Sequence, residues 1–270
     1  MNVGGRGQSH ASSFGVARPD LGWVPSLRYL SRRRELLKIA SRWRGKARVL
    51  EIGCGAGAFL HDLTQMGHEV TGVETSSEAR ALALSLRDSE NGAWAIHDDV
   101  GQLDGRFDVI GAFDVIEHID DDVDTLVRWQ KLACAGAALC ISVPAHRHWW
   151  GPGDVWAGHF RRYDRMDVDA LLRKSGWDVE EVVPYGFPIA SLTEWIGRIY
   201  YSRSLSRNER CRREGATAKS GIDREPYLRL WPVLGSVPFR WAIRCVLSLQ
   251  SISWPEQWSA GYIVVARLQR

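Results

Sequence analysis

The chain has 270 residues, enough to bury a substantial core in one large domain or in a domain with an elaborated cap. Its formal net charge of +3 is too near neutral to signal a nucleic-acid partner, and none is expected. The five cysteines (Cys54, Cys134, Cys140, Cys211, Cys245) lack CxxC spacing, which argues against a zinc site or a disulfide framework and suits a reducing cytoplasm. Thirteen tryptophans are unusual and promise flat apolar surfaces, in a core or around a pocket.

Residues 1–24 begin rich in Gly and Ser and lack the apolar run of a secretory signal, so they are expected to form a disordered tail. From Pro25 to Trp43, Leu27, Leu30, Leu36, Leu37, Ile39 and Ala40 recur at helical spacing. Arg28, Arg32, Arg33, Arg34, Lys38 and Arg42 supply the opposite face, read as a solvated basic stripe.

Strand and helix patterns then alternate. Strands are expected over 47–52, 68–74, 94–96, 107–113 and 137–143, with helices over 58–66, 76–87 and 123–132 between them. A helix over 166–175, a strand over 177–185 and a last strand over 259–268 complete the pattern. Strands separated by helix-length connections give an α/β fold, a parallel sheet with helices on both faces. Residues 186–257 break the alternation: a helical piece, a polar basic segment around 203–219 and an apolar aromatic piece read as a cap insertion. The domain proper is then 25–185 with 258–270. The basic segment reads as a mobile loop, with a basic lid as the alternative. No stretch of about 18 uncharged apolar residues exists, so no membrane span is expected.

The chemical signal is concentrated in Glu51-Ile52-Gly53-Cys54-Gly55-Ala56-Gly57. Glycines after a buried strand let the backbone turn sharply and a ligand approach closely. A dinucleotide loop would use GxGxxG spacing and seat a pyrophosphate, but the spacing here is GxGxG and Glu51 would repel phosphate. That disfavours a nicotinamide-dependent oxidoreductase. Glu74 ends the second strand, where a carboxylate can accept both hydroxyls of a ribose. Asp99 follows the third strand, where a carboxylate can accept from an adenine amino group.

This pattern resembles the class I S-adenosylmethionine-dependent methyltransferases. The residues from Glu51 to Gly57 are similar to their first motif, Val73-Glu74 to the acidic end of their second strand, and His97 to Leu103 to their adenine-binding segment. Phe113-Asp114-Val115-Ile116-Glu117-His118-Ile119 is similar to the fourth-strand motif of the branch containing ubiquinone-type O-methyltransferases. The resemblance spans roughly Ala47 to Val182 plus the last strand. It implies a seven-stranded Rossmann-like sheet in the order 3-2-1-4-5-7-6, with the last strand antiparallel. It also implies S-adenosylmethionine as cofactor, with Gly53 and Gly55 facing its methionine and ribose portions and Glu51 near its ammonium group. Glu74 would hold the ribose, Asp99 and the Val100 backbone the adenine, and Asp114 would lie near the methionine end.

Two histidines are candidate bases: His118, just after the fourth strand, and His159, in the long connection after the fifth. Each has a structural alternative, as a helix-start residue and as a loop residue bonded to backbone. Trp149, Trp150, Arg161 and Tyr163 in the same connection are candidate acceptor contacts, because ligands bind outside the carboxyl ends of parallel strands. Arg162 reads as structural. No metal is expected. The function expected is biosynthetic methylation of a small-molecule acceptor, aromatic or lipid-like. The alternative is a non-catalytic cofactor-binding partner subunit. Aromatic residues in the insertion (Trp195, Tyr200, Tyr201, Tyr227, Trp231, Trp241, Trp254) fit an acceptor cap or a homodimer contact, and amphipathic pieces there and at the N-terminus also permit peripheral membrane contact.

Overall fold

A computed structural model describes residues 14–204, 222 and 224–269. Helix α1 (Leu27–Ala40) starts at Ser26, whose hydroxyl accepts from the Tyr29 amide and caps the first turn. The alternation that follows is β1 (Arg48–Ile52), α2 (Ala58–Gln65), β2 (Glu69–Val73), α3 (Ser77–Ser89), β3 (Ala95–His97), β4 (Phe107–Phe113), α4 (Asp122–Gln130) and β5 (Ala133–Pro144). Two helices in the connection after β5, α5 (Pro152–Ala157) and α6 (Arg165–Lys174), lead to β6 (Trp177–Tyr185). Among the described residues, the cap helices α7 (Ile189–Ser204), α8 (Glu225–Leu234) and α9 (Val237–Ser248) precede β7 (Gly261–Leu268).

The seven strands run in the order β3-β2-β1-β4-β5-β7-β6, and β7 pairs antiparallel with both β5 and β6. Order and direction are those the resemblance implies. Successive residues face opposite sides of the sheet. Leu50, Ile52, Ile110, Leu139 and Ile141 pack with Leu126 and Trp129 of α4 and Leu172 of α6. Val49, Val109, Cys140, Ile263 and Val265 pack on the other side with Leu36 and Ile39 of α1 and Phe59 and Leu63 of α2. Burial on both faces explains why these strands read as continuous apolar runs. The strand order reverses between β1 and β4, and a crevice opens there at the carboxyl ends.

Two expectations are corrected. The segment expected as a disordered tail is packed from residue 14 onward: Phe14, Val16, Trp23 and Val24 are buried, and Phe14 joins Leu30 of α1 and Ile243 and Leu247 of α9 in one apolar cluster. Residues 1–13 lie outside the described residues. The basic face of α1 is not a uniformly solvated stripe. Arg33 is buried against Asp62 of α2, with Nε and Nη2 at 2.5 and 2.7 Å from its two carboxylate oxygens, while Arg28 and Arg32 point into the crevice. Acids placed far along the chain turn that face inward. The basic segment around 203–219 lies almost wholly outside the described residues.

The cap turns Leu192, Trp195, Leu230, Val233, Val237 and Trp241 outward. Among the described residues, no helix is long and apolar enough to cross a membrane.

Candidate active site

The crevice is a cavity of about 1450 Å³. That exceeds the roughly 300–1,000 Å³ of an ordinary small-ligand pocket and leaves room for a cofactor and an acceptor together. One end is built by the glycine turn after β1. Gly53, Gly55 and Gly57 all have positive φ, a region that only glycine adopts freely. A Cβ on Gly53 would stand 2.6 Å from Cγ2 of Val115, whereas a Cβ on Gly55 would meet no protein atom within 4 Å and would project into open space. The first glycine is therefore required by packing against Val115, whereas the second borders open space.

The acids expected around this turn all line the cavity. Glu74 accepts from the amides of Gly55 and Ser76, each at 2.9 Å through a different oxygen, so its carboxylate is fixed in orientation with lone pairs to spare. Asp99 accepts from the Gly101 amide at 3.0 Å. Its neighbour Asp98 stands outside the cavity wall, bound by Gln102 and facing Arg80. Glu51 is buried, and its Oε2 has no hydrogen-bond partner. Burial pushes its carboxyl up to about 8, with Arg32 opposing and Asp62 and Glu74 reinforcing. A buried acid without a partner, a fixed carboxylate and an open glycine cradle fit a ligand with an ammonium group at one end and a ribose at the other.

Asp114 also lines the cavity but is already committed. It sits at φ +56°, bonded to Arg32, 3.6 Å from Nε of Arg28, and accepting from the Ser142 hydroxyl at 3.0 Å. Burial works to raise its carboxyl, but Arg32, Arg28 and Ser142 outweigh it and hold the group well below the usual range. Arg28 extends the network to Glu194 of α7 at 3.4 Å, and Glu194 also binds Arg162. Arg162 in turn donates to Asp154 at 2.7 Å. A ring of charges thus joins α1, the end of β4, the loop after α5 and the cap helix α7. Sequence reasoning missed Glu194 altogether, since an acid on an amphipathic helix has no local mark of its partner.

Both candidate bases line the other end of the cavity, with ring centroids 4.7 Å apart. His159 Nδ1 lies 2.9 Å from Oδ1 of the buried Asp154, which leaves Nε2 as the free ring nitrogen. Burial, helped by His159, pushes His118 down to about 4, so its ring is neutral at neutral pH. Glu117 is fully buried, and neither carboxylate oxygen has a partner. Burial, reinforced by the charge on Asp114, holds Glu117 well above the usual carboxylate range.

The four residues expected to contact the acceptor do not line the cavity. Trp149 stacks near His146, with ring centroids 5.4 Å apart, and Trp150 is exposed. Arg161 pairs with Asp122 and Asp120, and Tyr163 is buried in the core with its hydroxyl 2.9 Å from Asp122. The wall is formed instead by Trp156 of α5, Arg162, Thr193 and Glu194 of α7, and Tyr227 of α8. Aromatic density in the loop was a real signal, but it did not say which rings face inward.

Residues 27–182 match the family model described as a methyltransferase domain. The chain is 32% identical over 107 residues to the ubiquinone biosynthesis O-methyltransferase of Bradyrhizobium sp. (strain ORS 278), covering 38% of this chain and 41% of that protein. It is 30% identical over 100 residues to the enzyme of the same name from Aromatoleum aromaticum, covering 35% and 43%. The aligned region thus spans about two fifths of the length of these relatives. In shape the chain is similar to the (4+2)-cyclase SpnF, with a TM-score of 0.55 at 16% identity over 89% of this chain and 81% of that one. It is also similar to magnesium protoporphyrin IX methyltransferase from Synechocystis, solved with bound S-adenosylhomocysteine, with a TM-score of 0.50 at 16% identity over 60% and 80%. Sheet order, cofactor cradle and the match across more than half its length agree: the chain belongs to the class I S-adenosylmethionine-dependent methyltransferases.

Proposed function

We propose that this protein transfers a methyl group from S-adenosylmethionine to a small-molecule acceptor held under the cap. One observation carries the reading: a single cavity joins the glycine cradle, Glu74 and Asp99 at one end to the His118–His159 pair at the other. When bound, S-adenosylmethionine supplies a methyl group already activated on a sulfonium. The chain's own task is then orientation, which is worth an effective molarity of about 10⁵–10⁸ M where reacting atoms are well placed.

In this reading Gly55 leaves space for the cofactor, Glu51 faces its ammonium, Glu74 takes its ribose hydroxyls and Asp99 its adenine amine. Asp114 acts at one remove, holding Arg28 and Arg32 at the wall. The acceptor's proton is handled at the His118–His159 pair, with Asp154 fixing the His159 ring. Trp156 and Tyr227 suit a flat or apolar acceptor, and the O-methyltransferase names of the curated relatives favour a hydroxyl. Calorimetry with S-adenosylhomocysteine and with NAD tests the cofactor: micromolar binding of the first and none of the second is expected. Transfer of labelled methyl to a panel of phenolic and lipid-like acceptors tests the reaction. Tight cofactor binding with no transfer to any acceptor would favour a binding subunit instead.

A further inference from the structure

The long connection that follows β5 is pinched at its base. Ala145 and Tyr163 form a parallel bridge, the His146 amide donates to the Tyr163 carbonyl at 3.0 Å, and the Tyr163 amide donates to the Pro144 carbonyl at 3.1 Å. Between these two ends the chain carries Asp154, Trp156, His159 and Arg162, all in the cavity wall. At the neck, outside that wall, stand His146, His148 and Asp164. Each can present one ligand atom, and the three atoms lie within 4.8 Å of one another.

The details are those of a cation site. Buried His146 has Nε2 3.1 Å from the Glu256 carbonyl, which can only accept, so Nε2 carries the proton and Nδ1 the lone pair. The Tyr262 hydroxyl, 3.5 Å from Nδ1, is too far for a sound hydrogen bond. An imidazole fixed through one nitrogen by a carbonyl, with the other presenting its lone pair, is the usual outer-shell arrangement of a metal ligand. Burial also holds His146 below the ordinary imidazole range, so its ring stays neutral at neutral pH. The ring centroids of His146 and His148 are 5.5 Å apart. Two imidazoles on one tetrahedral ion, with metal–nitrogen bonds of about 2.0–2.1 Å, would have centroids roughly 5 Å apart. Asp164 is oriented by the Arg147 amide, which donates to its Oδ1 at 3.1 Å. The ring of Trp149 lies 5.4 and 6.4 Å from the two imidazoles and adds an apolar shell.

We propose that His146, His148 and Asp164 bind one divalent transition-metal cation that clasps the neck of this connection. Two imidazoles and one carboxylate favour a first-row metal such as Zn²⁺ over Mg²⁺ or Ca²⁺, which take oxygen ligands. Water completes the coordination. The ion ties the start of the connection to the start of α6, and so limits how far the segment bearing Trp156 and His159 can open. The site stands apart from the cofactor crevice, and the inference does not depend on the methyl-transfer reading.

The test is dialysis of the full chain against Zn²⁺, followed by metal analysis and by hydrogen exchange over residues 147–163. Wild type is expected to hold one Zn²⁺ per chain more than His148→Ala, a substitution at an exposed position. That comparison cancels any metal bound elsewhere on the chain. Asp164→Asn keeps an acceptor for the Arg147 amide but loses the charge, and should bind Zn²⁺ about tenfold more weakly or worse. Zn²⁺ should slow exchange in the connection in wild type and leave it unchanged in His148→Ala. Circular dichroism confirms that each variant is folded. Equal Zn²⁺ content in wild type and His148→Ala would overturn the site. One extra Zn²⁺ bound by wild type with no slowing of exchange would overturn the clasp.

Discussion

Glu51→Gln isolates the electrostatics of the cofactor cradle. With its carboxyl pushed up to about 8, Glu51 is mostly a neutral acid at pH 7, and a carboxamide has nearly the same shape, so the variant should fold. An arriving ammonium group favours the ionised form, so binding must expel the proton. From linkage, wild type should release about 0.9 proton from this site at pH 7, and its affinity should rise about ninefold from pH 6 to 7 and about fivefold from pH 7 to 8. The variant has no such proton to lose. Calorimetry with S-adenosylhomocysteine at pH 6, 7 and 8, in two buffers of different ionisation enthalpy, reads both quantities. The difference between wild type and variant removes contributions from other groups. Equal pH slopes in the two proteins would refute the argument. A stability effect follows with its own sign. The folded pKa lies above the ordinary 4.5, so the contribution of this group is complete below about 4.5 and is lost as pH rises through about 8. The gap amounts to about 4–5 kcal/mol at most. Ligand-free Glu51→Gln should therefore gain stability over wild type in urea titrations at pH 8–9, and none at pH 4–5.

Gly55→Ala places a methyl group in open space at φ +54°, so unfolding should show a loss of only about 1–2 kcal/mol while cofactor affinity falls much further. An affinity loss no larger than the stability loss would remove Gly55 from the cradle. Glu74→Ala should weaken S-adenosylhomocysteine binding by about 1.5–3 kcal/mol, the range for hydrogen bonds to a charged group, and unchanged affinity would end its assignment to the ribose. Substituting His159 by Ala should lower turnover and spare cofactor affinity; wild-type rates would return it to a structural role. Glu194→Gln weakens the tie of α7 to Arg28 and Arg162 and should cost about 1–3 kcal/mol in denaturant unfolding. A change below about 0.5 kcal/mol, the range of ordinary surface substitutions, would show the ring of charges to be dispensable.

The sheet and the cofactor end were legible because their signals are local. A strand, a glycine turn, a helix and an acid at the next strand end lie within the short stretch from Arg48 to Glu74, marked in turn by an apolar run, close glycine spacing, a helical period and a lone carboxylate. The acceptor end resisted the same reading because its partners are remote. Arg32 reads as one cation among several on a basic helix until Asp114, 82 positions later, turns it inward. Arg162 reads as a loop residue until Glu194 and Asp154 close on it. Trp149 and Trp156 sit in one aromatic loop, yet only Trp156 lines the cavity, since the choice depends on how α5 packs against α7. Glu117 was visible within a recognised motif, but only its burial without a partner sets it apart.

The inward reach of α1 bears on where this protein can be cut. A boundary drawn at the first strand would follow the Rossmann pattern and discard residues before Arg48 as a leader. Such a fragment would lose both guanidiniums that neutralise Asp114 and the one that clasps Asp62. Stranding a buried charge in this way is worth about 3–5 kcal/mol, a large part of what holds a domain together. A fragment meant to keep these pairs therefore has to include the first helix from its Ser26 cap onward.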